Sequence, residues 1–240
     1  MQKILRNLLI LLCYEARIDY RYWQNLAINL LFFVTTMIIL QIILPQPLQP
    51  IDRLLQIFAI AIFTIISNSQ SDNQKFLVNR MEEGSLDQMI LAVRHLEIII
   101  FVRLIVGWLR QIVPILLVLI CYLSMTDLDA IILANNSDRL LNLKGSTIFL
   151  HIILITIVAS FNISLITAFC GSFALIKNRQ NNQMALATII AVPMLIPTIL
   201  VSQVAIFNDF TNNFTIICSL AIILLFLTIW GIKQIIEIAR

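Results

Sequence analysis

The residues that usually bind metal ions are few in this sequence and far apart. His95 and His151 are the only two histidines, and no C-x-x-C pair occurs among the four cysteines. These cysteines are Cys13, Cys121, Cys170 and Cys218. Metal sites need clustered donors, so we expect no metal centre. Scattered cysteines of this kind are typical of reduced, buried, structural thiols.

The glycines do not form a phosphate-binding loop. The pattern G-x-x-x-x-G-K-[ST] needs two glycines five positions apart, the second followed by lysine. The five glycines are Gly84, Gly107, Gly145, Gly171 and Gly231, and none of them has this spacing. The chain is therefore not expected to be an enzyme, and any ATP hydrolysis linked to it must take place on another subunit.

The segment 76–95 contains the most informative arrangement of polar residues. Gly84 suits a break in the chain, and Ser85 with Gln88 three residues later forms a capping box that predicts a new helix. Acidic residues cluster at the positive end of this helix. They are Glu82, Glu83 and Asp87.

The predicted helix has one apolar face. Leu86, Met89, Ile90 and Val93 recur at the i, i+3, i+4, i+7 spacing, with polar residues behind them. Two interpretations fit this pattern: an amphipathic linker lying on lipid headgroups, or a coupling helix that docks into a groove of a partner protein.

The composition of the chain shows whether water or lipid surrounds the helices that position this segment. Of the 240 residues, 60% are hydrophobic and 12% are charged, and the mean hydropathy is +0.96. Soluble proteins average about 25% charged residues, so a soluble globule is excluded. The net charge of +3 is too small for a nucleic-acid-binding surface. The sequence predicts an all-α polytopic membrane protein that forms a single domain over residues 1–240.

Six transmembrane helices are predicted from the gaps between charged residues. Their apolar runs are continuous and lack the alternation of membrane β-strands. The predicted spans are 24–44, 54–69, 104–124, 145–176, 184–207 and 210–232. Trp23, Trp108 and Trp230 are predicted to lie near span ends, as interface anchors.

The basic residues predict the orientation of these spans. Of the 16 Lys and Arg residues, 13 fall on the side of both termini and 3 on the other side, with Arg103 and Arg110 counted among the 13. The positive-inside rule then places both termini in the cytoplasm. Residues 1–23 combine charged stripes with an aromatic cluster and predict an interfacial helix on the cytoplasmic surface, or a long extension of the first span.

Two features lie inside the predicted spans. Pro193 and Pro197 remove backbone donors from the fifth span, which predicts a kink or a helix break with either a mechanistic or a packing role. The fourth span contains a stripe of small, weakly polar residues, for which intramolecular packing, a dimer seam and a cargo-facing wall are the alternatives. The stripe consists of Thr156, Ser160, Ser164, Thr167 and Gly171.

Several of these motifs carry a family resemblance. The acidic pair, Gly84, Ser85, Leu86, Asp87 and the apolar pair after Gln88 resemble the cytoplasmic signature of type-2 ATP-binding-cassette (ABC) membrane subunits, which also follows the second of six spans. With Arg103, Trp108 and Pro114, the prolines of the fifth span, and Glu15, Arg17 and Arg21, nearly the whole chain resembles the haem exporter B family of the cytochrome c maturation system.

The resemblance implies a function and a set of partners. It implies a type-2 ABC exporter-like permease in the bacterial inner membrane, or the mitochondrial inner membrane, that couples ATP hydrolysis to haem delivery or to release of a haem-loaded periplasmic chaperone. The implied partners are an ABC ATPase subunit, a sister haem-handling membrane subunit, the chaperone and a second copy of this chain. The implied ATPase-coupling residues are Glu82, Glu83, Gly84, Ser85, Leu86, Asp87 and Met89.

Haem is expected as cargo and not as a bound cofactor. His151 could in principle meet a haem iron, but a lone histidine within a membrane more often hydrogen-bonds a neighbouring carbonyl. Two other functions fit the same residues: a type-2 permease for a lipid or a drug, and a membrane scaffold that transports nothing.

Overall fold

The computed structural model describes residues 23–43, 55–69, 96–125, 145–173, 180–207 and 210–239. Each of these ranges is helical almost throughout, and no strand occurs among them. The six helices are α1 (Trp23–Ile43), α2 (Leu55–Ser69), α3 (Leu96–Met125), α4 (Gly145–Ser172), α5 (Gln180–Phe207) and α6 (Phe210–Ala239). The predicted interfacial helix at 1–23 lies outside the described residues except for Trp23, and so does the whole coupling segment at 76–95.

Five helices begin within four residues of their predicted starts, but α3 begins eight residues earlier than predicted. The prediction was wrong because it treated Arg103 as a residue outside the span. Arg103 lies inside α3 with a buried side chain, and Arg110 lies two turns further along the same helix. Without these two residues, the basic asymmetry is still 11 to 3.

Four of the described helices are long and apolar enough to cross a membrane. They contain the stretches Leu96–Ser124, Thr147–Ser172, Ile189–Ile206 and Phe210–Glu237. Helix α2 is apolar but has 15 residues, which span about 22 Å and fall short of a hydrocarbon core of about 30 Å. The fold is therefore a polytopic all-α membrane protein in the part of the chain that the structure describes, with four such spans among its six helices.

Helix α4 is the centre of the bundle and packs against α3, α5 and α6. In its most apolar stretch 67% of the residues are buried, against 33% in α5 and 28% in α6. The small residues of α4 explain this position, because they allow neighbouring backbones to approach closely.

Apolar side chains lie on both the inside and the outside of the bundle. The main core draws on all six helices and includes Phe33, Phe58, Leu119, Ile155 and Ile217. Large apolar side chains on the outer surface, such as Ile222, Phe226 and Trp230, are more than half exposed. Such a surface is costly in water and suits a lipid environment, because lipid tails are as apolar as these side chains.

Candidate functional site

The predicted ATPase-coupling residues belong to the segment 76–95, which lies outside the described residues. They are Glu82, Glu83, Gly84, Ser85, Leu86, Asp87 and Met89. Helix α3 follows this segment directly, since it begins at Leu96. The candidate site that can be built from described residues is therefore the end of the bundle where α3 begins and α4 and α6 end. We call this end the junction.

An ion pair joins two helices at the junction. Glu97, in the first turn of α3, accepts a hydrogen bond from Lys233 of α6, with 2.6 Å between Lys233 Nζ and Glu97 Oε1. The side chain of Lys233 is 33% exposed and that of Glu97 is 44% exposed. Exposed ion pairs add little net stability, so the importance of this pair lies in the two helices that it connects.

A separate apolar cluster, the junction cluster, packs three helices together at this end. It contains two buried residues from each of α3, α4 and α6, and it is distinct from the main core. Its members are Ile100, Leu104, Leu165, Ala168, Ile232 and Ile236. Since each pair is three or four residues apart, each helix presents one turn to the other two.

Helices α4 and α6 approach closely beside this cluster. A Cβ atom added to Gly231 of α6 would lie 2.5 Å from Cε2 of Phe169 of α4, so only glycine leaves room for the ring. The hydroxyl of Thr228 donates to the Leu224 carbonyl at 2.6 Å and reaches the Leu165 carbonyl of α4 at 3.5 Å. These contacts fix α6 against α4.

Trp108 connects α3 to α4. Its indole Nε1 donates to Ser160 Oγ at 2.9 Å, and its ring meets Phe161 edge to face with 5.2 Å between ring centroids. Trp108 is the thirteenth of the 30 residues of α3 and is partly buried. The prediction that Trp108 is an interface anchor near a span end was wrong, because α3 begins earlier than the charge pattern indicated.

Helix α2 is joined to α3 by a buried hydrogen bond. Ser69, the last residue of α2, donates from Oγ to Gln111 Oε1 at 2.6 Å, and both side chains are buried. Buried polar groups need such partners because an unpaired one is costly in an apolar environment. The segment between α2 and α3 is thus bounded by two helices that contact each other.

The small polar stripe of α4 lies inside the bundle. All five of its members are buried. Three of its hydroxyls donate to carbonyls about one turn earlier, from Thr156 to Ile152 at 2.7 Å, from Ser160 to Ile157 at 2.7 Å and from Thr167 to Ile163 at 2.9 Å. Such bonds satisfy hydroxyls within their own helix. Of the three alternatives, intramolecular packing is confirmed.

The two prolines of α5 lie on its outer surface. The helix continues through Pro193 and Pro197, and both side chains are exposed. Each proline removes one backbone donor, but membrane helices tolerate this loss when neighbouring groups satisfy the freed carbonyls. The helix therefore does not end at these residues, and a kink at this position stays a prediction.

At the end of the bundle opposite the junction, His151 of α4 stacks on Phe210 of α6. The ring centroids are 3.6 Å apart and the planes differ by 5°. Phe210 also stacks on Phe214, at 5.2 Å. Among the described residues no group of three or more His, Cys, Asp or Glu side chains could hold a metal ion. The recorded contact of His151 is with an aromatic ring, where the sequence favoured a backbone carbonyl.

Sequence reasoning did not find the pairs Glu97–Lys233 and Ser69–Gln111, whose partners are 136 and 42 residues apart. The opposite charges near the ends of two predicted spans were the available signal for Glu97 and Lys233. That signal does not tell which helices are neighbours.

Of the comparisons with known proteins, the one with protein families gives a match. No curated protein and no solved structure matches the chain. The family model described as CcmB protein matches residues 6–239, nearly the whole chain, including all six helices and the segment 76–95. The chain therefore belongs to the CcmB family, which is the family of haem exporter protein B.

Proposed function

We propose that this chain is the membrane subunit of an ABC transporter complex for cytochrome c biogenesis. A separate subunit hydrolyses ATP, and this chain couples that hydrolysis to haem export or delivery, or to release of the haem-loaded periplasmic chaperone. The observation that carries the proposal is the match of the CcmB family over residues 6–239. Membership of this family of haem exporter permeases makes the chain a membrane component of a haem exporter for cytochrome c maturation.

The ATPase docks on the segment 76–95 in this proposal. The support is the capping box at Ser85 and the apolar stripe beginning at Leu86, flanked by acidic residues that anionic headgroups would repel. The arrangement of α2 and α3 adds support, since Ser69 and Gln111 bring together the two helices that flank the segment. The segment follows α2 and precedes α3 in the sequence, so a displacement of it can pass to both helices through the backbone.

Six spans cross the membrane in this proposal, and both termini lie in the cytoplasm of a bacterial cell. The second span is the uncharged run 54–71, which is longer than helix α2. The 11 to 3 division of basic residues that remains without Arg103 and Arg110 supports this orientation. The Glu97–Lys233 pair supports four of these crossings, because four successive spans from α3 to α6 bring the start of α3 and the end of α6 to one side. The His151–Phe210 stack fits too, since it joins the starts of α4 and α6.

The complex contains two copies of this chain, two ATPase subunits and a sister haem-handling membrane subunit, and it acts on the periplasmic haem chaperone. Haem is cargo and ATP binds to the partner. A two-part experiment tests the proposal. Removal of the chain should abolish c-type cytochromes, and the affinity-purified chain should retain an ABC ATPase whose hydrolysis rate rises when both are reconstituted in lipid vesicles.

Each contrary result points to a different function. Normal c-type cytochromes without the chain would indicate a permease for another cargo, such as a lipid or a drug. An ATPase that binds but hydrolyses ATP at an unchanged rate would indicate a scaffold that transports nothing.

A further inference from the structure

The first turn of α3 is the first described part of the bundle after the segment 76–95. A helix is stiff along its axis, since every turn is hydrogen-bonded to the next. A displacement of the segment therefore reaches Glu97 directly and then travels along α3. To move the rest of the bundle, such a displacement must also pass from α3 to the helices packed beside it.

The junction cluster packs α3, α4 and α6 together through apolar contacts. Contacts between Ile, Leu and Ala side chains are non-directional. The Glu97–Lys233 pair adds a directional contact between α3 and α6, a charge-assisted hydrogen bond with 2.6 Å between Lys233 Nζ and Glu97 Oε1.

We propose that the Glu97–Lys233 pair holds α3 and α6 in register, so that movement of the coupling segment is transmitted to α6 together with α3. This inference rests on the proposed function, in that it takes the segment 76–95 as the ATPase-docking element. Lys233 is then a positioning residue for energy coupling, 147 residues beyond Leu86 in the sequence.

Helix α4 belongs to the same moving unit. It supplies Leu165 and Ala168 to the junction cluster, and its Phe169 ring lies against Gly231, two residues before Lys233. Helix α5 supplies no residue to the junction cluster, among the described residues. The proposed unit is thus α3, α4 and α6, the three helices that meet in the junction cluster.

A charge swap separates this role from simple stabilisation. Glu97→Lys and Lys233→Glu each place two like charges at the junction, and each should reduce the c-type cytochrome yield at least about fivefold, the lower range of coupling between sites. Chain level and ATPase retention should stay near wild type. The double variant restores opposite charges and should recover most of the yield. Glu237→Gln removes the second carboxylate that acts on Lys233, one turn further along α6, and should leave most of the yield because Glu97 holds the hydrogen bond.

A cross-link provides the second test. Cysteines at positions 97 and 233, in a chain without its four native cysteines, are bridged by a short bifunctional maleimide in the reconstituted complex with its ATPase. A unit that moves as one body should keep its stimulated ATP hydrolysis when bridged. Loss of that stimulation with the ATPase still bound, or failure of the charge swap to recover yield, would overturn the inference. A wild-type chain that retains no ATPase would instead overturn the proposed function.

Discussion

The two ends of the helix bundle are held together by different chemistry. At the junction, the Glu97–Lys233 ion pair lies beside the junction cluster of α3, α4 and α6. At the opposite end, His151, Phe210 and Phe214 form a stack of rings between α4 and α6. A charged pair fixes the position of two groups, whereas a ring stack mainly buries apolar surface. The charge-assisted contact thus lies at the end of the bundle where α3 follows the predicted ATPase-docking segment.

The comparison of the two ends depends first on which end faces the cytoplasm. Labelling of single cysteines answers this question with an all-or-none result. A single cysteine near Asn136 should react with an impermeant thiol reagent from the periplasmic side of intact cells, and one near Asn181 should not. Both variants need a chain without native cysteines, because Cys121 is exposed and would react by itself. Reaction near Asn181 and protection near Asn136 would reverse the two ends.

Changes in the coupling segment should have the largest effect on activity. Asp87→Lys places a positive charge at the positive end of the predicted helix and should abolish c-type cytochromes in a haem-stained gel, as should disruption at Gly84. Asp138→Lys, the same change in the segment between α3 and α4, is the control and should leave the yield near normal. Equal losses from Asp87→Lys and Asp138→Lys would remove the distinction between the ends.

Packing at the junction should be sensitive to one methyl group. Gly231→Ala brings a Cβ atom to 2.5 Å from the Phe169 ring, and overpacking of this kind costs about 1–3 kcal/mol. A thermal unfolding scan in detergent should show a lower Tm. Gly107→Ala is the matched control, since no atom lies within 4 Å of its added Cβ. A Tm equal to wild type for Gly231→Ala would contradict the close approach of α4 and α6.

The smallest effect is expected at the opposite end. His151→Ala removes the stack on Phe210, a contact worth about 0.5–1.5 kcal/mol, and should leave c-type cytochromes near normal, because the proposed function gives this chain energy coupling and no haem ligand. Phe210→Ala is the matched variant from the other side of the stack. Loss of cytochromes in His151→Ala alone, at unchanged chain level and ATPase association, would favour a direct haem contact.

Much of the fold was predictable because charges delimit membrane helices. Helix α6 starts at Phe210 and α4 at Gly145, as predicted, since polar or charged residues precede both apolar runs. The start of α3 was missed because a charge pattern gives only the positions of charged residues along the chain. It does not show whether a helix buries their side chains. Arg103 is buried within α3, where the pattern placed it outside the span.

The junction was not predictable from the sequence. The spacing of Thr156 and Ser160 identified a face of α4, but periodicity does not tell which helix covers that face. The partner of Trp108 and the partner of Glu97 depend on which helices are neighbours. Four spans of similar length and composition allow several arrangements, and only the packed bundle distinguishes them.

Docking of an ATPase on the segment 76–95 is tested most directly by a pull-down of two matched variants. Leu86→Asp puts a charge on the apolar stripe of the predicted helix, and Gln88→Asp puts the same charge on its polar back. The account predicts that Leu86→Asp reaches the membrane at a normal level but loses the ABC ATPase, while Gln88→Asp retains it. Retention of the ATPase by Leu86→Asp would contradict the account.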